Sequence, residues 1–364
     1  MVDNSPFLLV TPPVPSTTFS AVEPFAAFLE AAEDDTETVP VDSAAAVLLD
    51  RDGRTVGDGY RYTGWAFGQA CKLLCPGLAR VVQSLADGDS PERAAAVATF
   101  NRLVGLRYET CLAGCQMLLG TRTKTVEGVM GVGYRRVSNQ RLASLLAENV
   151  PGGSRFLTAT AAGRWVLVRY VSPGAYGGTD FGWRQGWHVA AHDAGGASVR
   201  VTAALVRATD RTTVLVPPGR KRVRHVGDAF EARLTAAFER AADGLKPAAV
   251  YEAAVAARGA PLSPPDHTGA IATKLSALVG RLVEAGVGRM TAGKAVRRAA
   301  LYGSSRSPVA DELVGLTRAV WATRTELDLV AALCRAARSL AVPARERVEV
   351  AAYRILTGET SIGD

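Results

Sequence analysis

Gly131-Val-Gly-Tyr-Arg-Arg-Val-Ser-Asn-Gln-Arg141 opens the part of the chain that decides the fold. Ser138 suits the N-cap of a helix reaching about Glu148. Short apolar runs then predict strands at Phe156–Thr160, Arg164–Val171, Gly186–His192 and Ser198–Arg207, with Thr213–Val216 a further one. The basic run Gly219-Arg-Lys-Arg-Val-Arg-His225 follows, and a helix from about Val226 to Ala242 closes the region. Several strands followed by helices point to an α+β fold, with a mixed or antiparallel sheet core and flanking helices.

Before this core, Ala46-Val-Leu-Leu49, the turn Asp50-Arg-Asp-Gly53 and Arg54 to Tyr62 read as a hairpin. Thr63 suits an N-cap, and short helices fit 64–75, 77–86 and 91–103, the last starting on a favourably placed Pro91. Residues 106–137 turn β-like, punctuated by Gly114, Gly120, Gly128, Gly131 and Gly133. Residues 1–42 read as an acidic, partly flexible arm with a short helix near Val22–Ala32, where Val22, Phe25, Ala26 and Leu29 share a face. After Lys246-Pro247 the pattern becomes helical. Ile271, Leu275, Leu278, Val279, Leu282 and Val283 keep a 3.6-residue stripe, and helices fit 291–301, 308–340 and 344–356. The expected organisation is therefore an arm over 1–42, an α+β core over 43–245 and an all-helical C-terminal domain over 246–364.

The 364 residues carry a net charge of +7, unevenly placed. Residues 1–58 hold 2 basic and 11 acidic side chains, and the remainder holds 40 and 24, so −9 precedes +16. Such asymmetry fits chains that meet polyanions. It also fits solubility alone. No apolar run approaches the ~20 residues that span a bilayer, and no basic-then-apolar leader is visible, so a cytoplasmic protein with reduced thiols is expected.

The side chains that could carry chemistry are few. Cys71/Cys75 and Cys111/Cys115 are pairs at spacing four that could together ligate zinc, but their apolar neighbours favour core thiols. His188 and His192 share one face of a strand about 13 Å apart, too far for a common metal. His192-Asp193 could be an acid–base dyad or a simple turn. Gly128-Val-Met-Gly-Val-Gly133 lacks the Gly-Lys-Ser/Thr ending of a phosphate loop. No cofactor or metal is expected. The basic positions speak most clearly. Arg135, Arg136 and Arg141 flank a strand-to-helix junction, and Arg220, Lys221, Arg222, Arg224 and His225 lead into a helix. Both settings suit phosphate. Tyr134, Trp165, Tyr170, Tyr176, Phe181, Trp183 and Trp187 are close enough in sequence to supply base stacking, or equally to fill the core.

The order of these segments resembles a family of uncharacterised phage- and plasmid-associated proteins over about residues 45–243. The carriers are Thr63-Gly-Trp-Ala-Phe-Gly-Gln-Ala70 before Cys75-Pro-Gly77, Gly133-Tyr-Arg-Arg-Val-Ser-Asn139, Ala162-Gly-Arg-Trp-Val-Leu-Val-Arg169, Trp187-His-Val-Ala-Ala-His-Asp193, Ser198-Val-Arg-Val-Thr202 and Arg224-His225. Ala190-Ala191 stands where the family has Asn-Ser, and Val226 where it has Thr. The resemblance implies a DNA-linked role. The leading expectation is non-catalytic nucleic-acid binding, with single-stranded DNA in replication or recombination the favoured ligand. The alternatives are a metal- or His192/Asp193-dependent hydrolase, and a structural or assembly protein binding an acidic partner.

Overall fold

The structure is a computed structural model, and it describes residues 10–11, 16–86, 90–132, 134, 136–150, 153–176, 183–194, 197–207, 212–216, 221–223 and 229–243. Toward the C-terminus it describes 327, 330, 331, 334, 337, 338 and 342–357. Two sheets organise the chain. Sheet A holds β1 (Val10–Thr11), β4 (Arg61–Thr63), β6 (Thr125–Met130), β5 (Gln116–Gly120) and β3 (Thr36–Pro40), in that spatial order. It is mixed: β4 runs parallel to β1 and β6, while β5 is antiparallel to β6 and β3. Sheet B runs β11 (Thr212–Leu215), β10 (Ala197–Arg207), β9 (Trp183–His192), β8 (Trp165–Tyr176), β7 (Arg155–Ala162), β2 (Thr17–Phe19), with β12 (Lys221–Val223) also on β10. Its pairings are antiparallel. The α+β expectation therefore holds.

Helices α2 (Gly64–Leu74), α3 (Leu78–Ala86) and α4 (Ser90–Arg107) share one apolar core with sheet A. Thr63 caps α2, its hydroxyl accepting from the Ala66 N–H. The expected hairpin over 45–62 is only partly formed. Ala44–Ala46 is a 3₁₀ turn, and a single bridge joins Leu49 to Thr55. The Asp50 carboxylate accepts from the N–H groups of Asp52 and Arg54, and Asn101 of α4 binds both backbone groups of Leu49, so side chains replace a ladder. The β-like expectation at 106 is also corrected. Helix continues to Arg107 and a π turn follows over Tyr108–Leu112, because Val104 and Leu112 both bury in this core. Cys71 and Cys115 are buried there, with Cys75 and Cys111 packed at its margin.

Helix α1 (Val22–Asp34), α5 (Asn139–Asn149) and α6 (Phe230–Asp243) pack on one face of sheet B. Phe25 and Leu29 of α1 enter the core, and burial of each such side chain stabilises by roughly 1.5–3 kcal/mol. Ser138 caps α5 by accepting from the Arg141 N–H. The expected arm is thus built into the body from Thr17 onward: β2 pairs β7, α1 fills the core, and β3 edges sheet A. Apolar Phe19, Phe25 and Leu29 outweigh the surrounding acidic charge.

The described C-terminal residues, including α7 (Val342–Leu356), are helical and share the sheet B core through Leu327, Val330, Cys334, Ala337, Val348 and Tyr353. They are integral to the sheet B unit. The expected helices over 246–301 lie outside the described residues. Among the described residues, no helix is long and apolar enough to cross a membrane.

Candidate nucleic-acid interface

Strand alternation sorts the side chains of sheet B onto two faces. Val166, Val168, Tyr170, Trp187, Val189, Val201 and Ala203 point into the core with α1, α5 and α6. The opposite face is polar, and the register arranges it in rows. One row is Thr160, Leu167, Ala190, Arg200 and Arg222 across β7, β8, β9, β10 and β12. The next is Thr158, Arg169, His188 and Thr202. On the other side, Trp165 pairs with His192. The Arg200 guanidinium lies 5.0 Å from the centroid of the Trp165 ring, a cation–π contact. Arg222 is exposed at this face's margin.

Helix α7 crosses this polar face. Val342 packs on Leu167 and Ala190, and Val350 packs beside Val171, Ala204, Val206 and Leu215. Between these apolar ends sit its charges. Glu349 accepts from Arg169 Nη2 at 2.6 Å and from Arg345 Nε at 3.1 Å. Arg345 Nη1 also donates to the Thr160 hydroxyl at 3.3 Å. Glu346 faces Arg200 with both oxygens, at 3.1 Å from Nε and 2.8 Å from Nη2. His188 accepts from Arg169 Nε through Nδ1 at 3.3 Å. Its proton therefore sits on Nε2, which donates to Glu346 at 3.1 Å.

The electrostatics follow from burial. Desolvation, aided by Arg169, holds His188 below the usual imidazole range despite Glu346. Burial opposes ionisation of Glu349, but Arg169 and Arg345 overcome it and hold its carboxyl below the ordinary value. Burial and the nearby Arg169 bring Arg345 down to about 10. Arg169, Arg200 and Arg345 face Glu346 and Glu349, so the cluster retains one positive charge.

The other basic candidates lie elsewhere. Arg136 is turned into the corner between the two sheets. It donates to both oxygens of Glu33 at 2.7 and 2.6 Å and to Asp193 at 2.7 Å. Burial works against its charge, but Asp193 and Glu33 raise its pKa further above the ordinary arginine value. Arg164 approaches the same Asp193 at 3.6 Å and Glu127 of β6 at 3.8 Å. Arg141 is exposed on α5, across sheet B from Arg222. Arg136 and Arg141 therefore do not join Arg222 on one surface. The run expected as an exposed lead to a helix is strand over Lys221–Val223, since Val223 inserts into the core and fixes the pairing with β10. Arg135, Arg220, Arg224 and His225 lie outside the described residues, as does the Lys221 side chain.

The His192-Asp193 pair is locked into that corner. The His192 ring lies 4.5 Å from Trp65 and 4.9 Å from Trp165, centroid to centroid, and its Nδ1 accepts from the Ala194 N–H at 3.3 Å. Asp193 is fully buried between its arginines. The Ala194 carbonyl accepts from Gln69 at 2.7 Å and Trp65 at 3.4 Å, which ties α2 to the end of β9. Of the aromatic candidates, Trp183, Trp187 and Tyr170 are core, while Trp165 is half-buried on the polar face. Phe181 lies outside the described residues, as does the Tyr176 side chain. No group of three or more His, Cys, Asp or Glu among the described residues could hold a metal.

Sequence reading passed over Arg169, Arg200, Arg345, Glu346 and Glu349. A signal was present: Arg169 and Arg200 alternate with Val and Leu, and Glu346 and Glu349 share a helical face three residues apart. No protein family, curated protein or solved structure matches the chain.

Proposed function

We propose that the chain is a non-catalytic nucleic-acid-binding protein, linked to phage- or plasmid-type mobile elements, that takes single-stranded DNA on the polar face of sheet B. The observation that supports this most is the register. It sets the exposed Arg222 at the margin beside Arg200, whose guanidinium lies on Trp165 further into the same face, so an exposed cation adjoins an arginine–indole pair. The placement of His192 and Asp193 favours this over hydrolysis, because indole rings cover the imidazole and arginines engage the carboxylate.

Labelled single-stranded DNA titrated across several salt concentrations tests the reading. Each phosphate contact contributes a log–log slope of about −0.7. Replacing Arg220, Lys221, Arg222 and Arg224 together by Gln is expected to lower affinity and flatten the slope by roughly 2–3 units. Sequence preference should hold, since phosphate contacts position rather than specify. Wild-type protein that fails to bind at low salt, or a quadruple variant equal to it, refutes the reading.

A further inference from the structure

We infer that α7 is a carboxylate cover over the polyanion-binding face, with Glu346 and Glu349 occupying the places that strand phosphates take when α7 lifts. The inference rests on the proposed nucleic-acid reading and identifies which part of sheet B would receive the strand.

An ordinary amphipathic helix buries an apolar stripe on an apolar sheet. Helix α7 buries such a stripe through Val348, Ala351, Ala352 and Leu356, but its middle also meets Arg169, His188 and Arg200, and the helix answers them with two carboxylates. These sit at i and i+3, with Cβ atoms about 5–6 Å apart on one helix face. Two such anions in a row resemble one step of a phosphate backbone. The arginines present forks that accept carboxylate or phosphate alike.

Lifting α7 takes Val348, Ala351, Ala352, Tyr353 and Leu356 out of the sheet B core, so the contacts of the bound strand must offset that burial. The ion pairs themselves exchange at little cost. Burying an ion pair removes about as much hydration energy as the Coulomb attraction returns, so such contacts add little net stability. Replacing one oxyanion by another keeps that balance. Lifting α7 also removes Arg345, leaving Arg169, Arg200 and the exposed Arg222 on one continuous face with Trp165. The row from Arg222 through Arg200 supplies a path from the exposed margin to the covered centre. A strand anchored first at Arg222 would then compete with Glu346 for Arg200.

Wild-type full-length protein gives the first test, by amide exchange with and without saturating oligo(dT). DNA is expected to raise exchange in the peptide 342–356 by at least about tenfold. Unchanged or slower exchange there, with DNA bound, overturns the cover. A lock gives the second test. Leu215 and Val350 pack in one cluster, so a Leu215→Cys/Val350→Cys protein can be compared with itself, oxidised and reduced, with oxidised wild type as control. The locked form is expected to bind at least tenfold more weakly than the reduced form. Equal binding by both overturns the cover and leaves the nucleic-acid reading intact. If neither wild type, the reduced lock nor Glu346→Gln binds at low salt, the nucleic-acid reading fails and the cover with it.

Discussion

Replacing Glu349 by Gln keeps the volume of the side chain and removes one charge from a fully buried position. Arg169 Nη2 and Arg345 Nε both donate to this carboxylate. Without it, one carboxylate, Glu346, is left in the cluster, and it is already engaged by Arg200 and His188. Removing one partner of a buried pair destabilises by about 3–5 kcal/mol, far above the ~0–1 kcal/mol of an exposed pair. At roughly 2–4 °C per kcal/mol, a global transition would fall by about 6–20 °C. Because the lost contacts join α7 to the sheet, the loss should register first as local opening, with exchange of 342–356 faster than that of β8–β10. Adding Arg169→Met to Glu349→Gln should then cost much less than Arg169→Met alone, because the same interaction is already gone. Thermal unfolding by circular dichroism, with amide exchange, measures all of this. A Glu349→Gln protein within about 1 kcal/mol of wild type would refute the view that buried Arg169 and Arg345 depend on this carboxylate to balance their charge.

Acid should loosen α7 as well. His188 and Glu349 both have folded-state pKa values below their ordinary ones, so their contributions are present above the unfolded values, near ~6.5 and ~4.3, and fade as pH falls. Exchange of 342–356 at pH 5.5 should exceed that at pH 7.5, once corrected for intrinsic rates, and His188→Gln should flatten this difference. Arg169 and Glu346 touch the imidazole directly, and the charge of Glu349 acts on it from the same helix. At Gly128 a Cβ would stand 2.6 Å from the Ala194 Cβ, so Gly128→Val should separate the sheets and cost on the order of 1–3 kcal/mol by denaturant melting. Among the thiols, Cys71 is buried and its pKa is pushed up to about 12. It should label last with a thiol reagent at pH 8, after half-buried Cys75 and Cys111.

The strands of sheet B were legible as short apolar runs between clear breaks, and the caps Thr63 and Ser138 were legible because a hydroxyl at a helix start has one strong use. The arm was misread from its charge. Acidic side chains surround Phe19, Phe25 and Leu29, and only the three-dimensional placement shows those apolar groups entering the sheet B core. The site was half legible. Within the run at 220–225, Lys221–Val223 is a strand because Val223 turns inward, and that depends on β10 being there to pair with it. Arg136 looked like a phosphate ligand because its partners, Glu33 and Asp193, lie 103 and 57 residues away in the chain. The charges of α7 were hidden for the same reason: Glu349 and Arg169 are separated by 180 residues.

The most direct test of the central claim is ultraviolet cross-linking of single-stranded DNA to the full-length protein, with the attachment sites mapped by mass spectrometry. The account predicts adducts on Trp165 and on peptides spanning 165–171, 197–207 and 221–223. Adducts confined to the α5 surface around Arg141, or no adducts under conditions where DNA is bound, would contradict it.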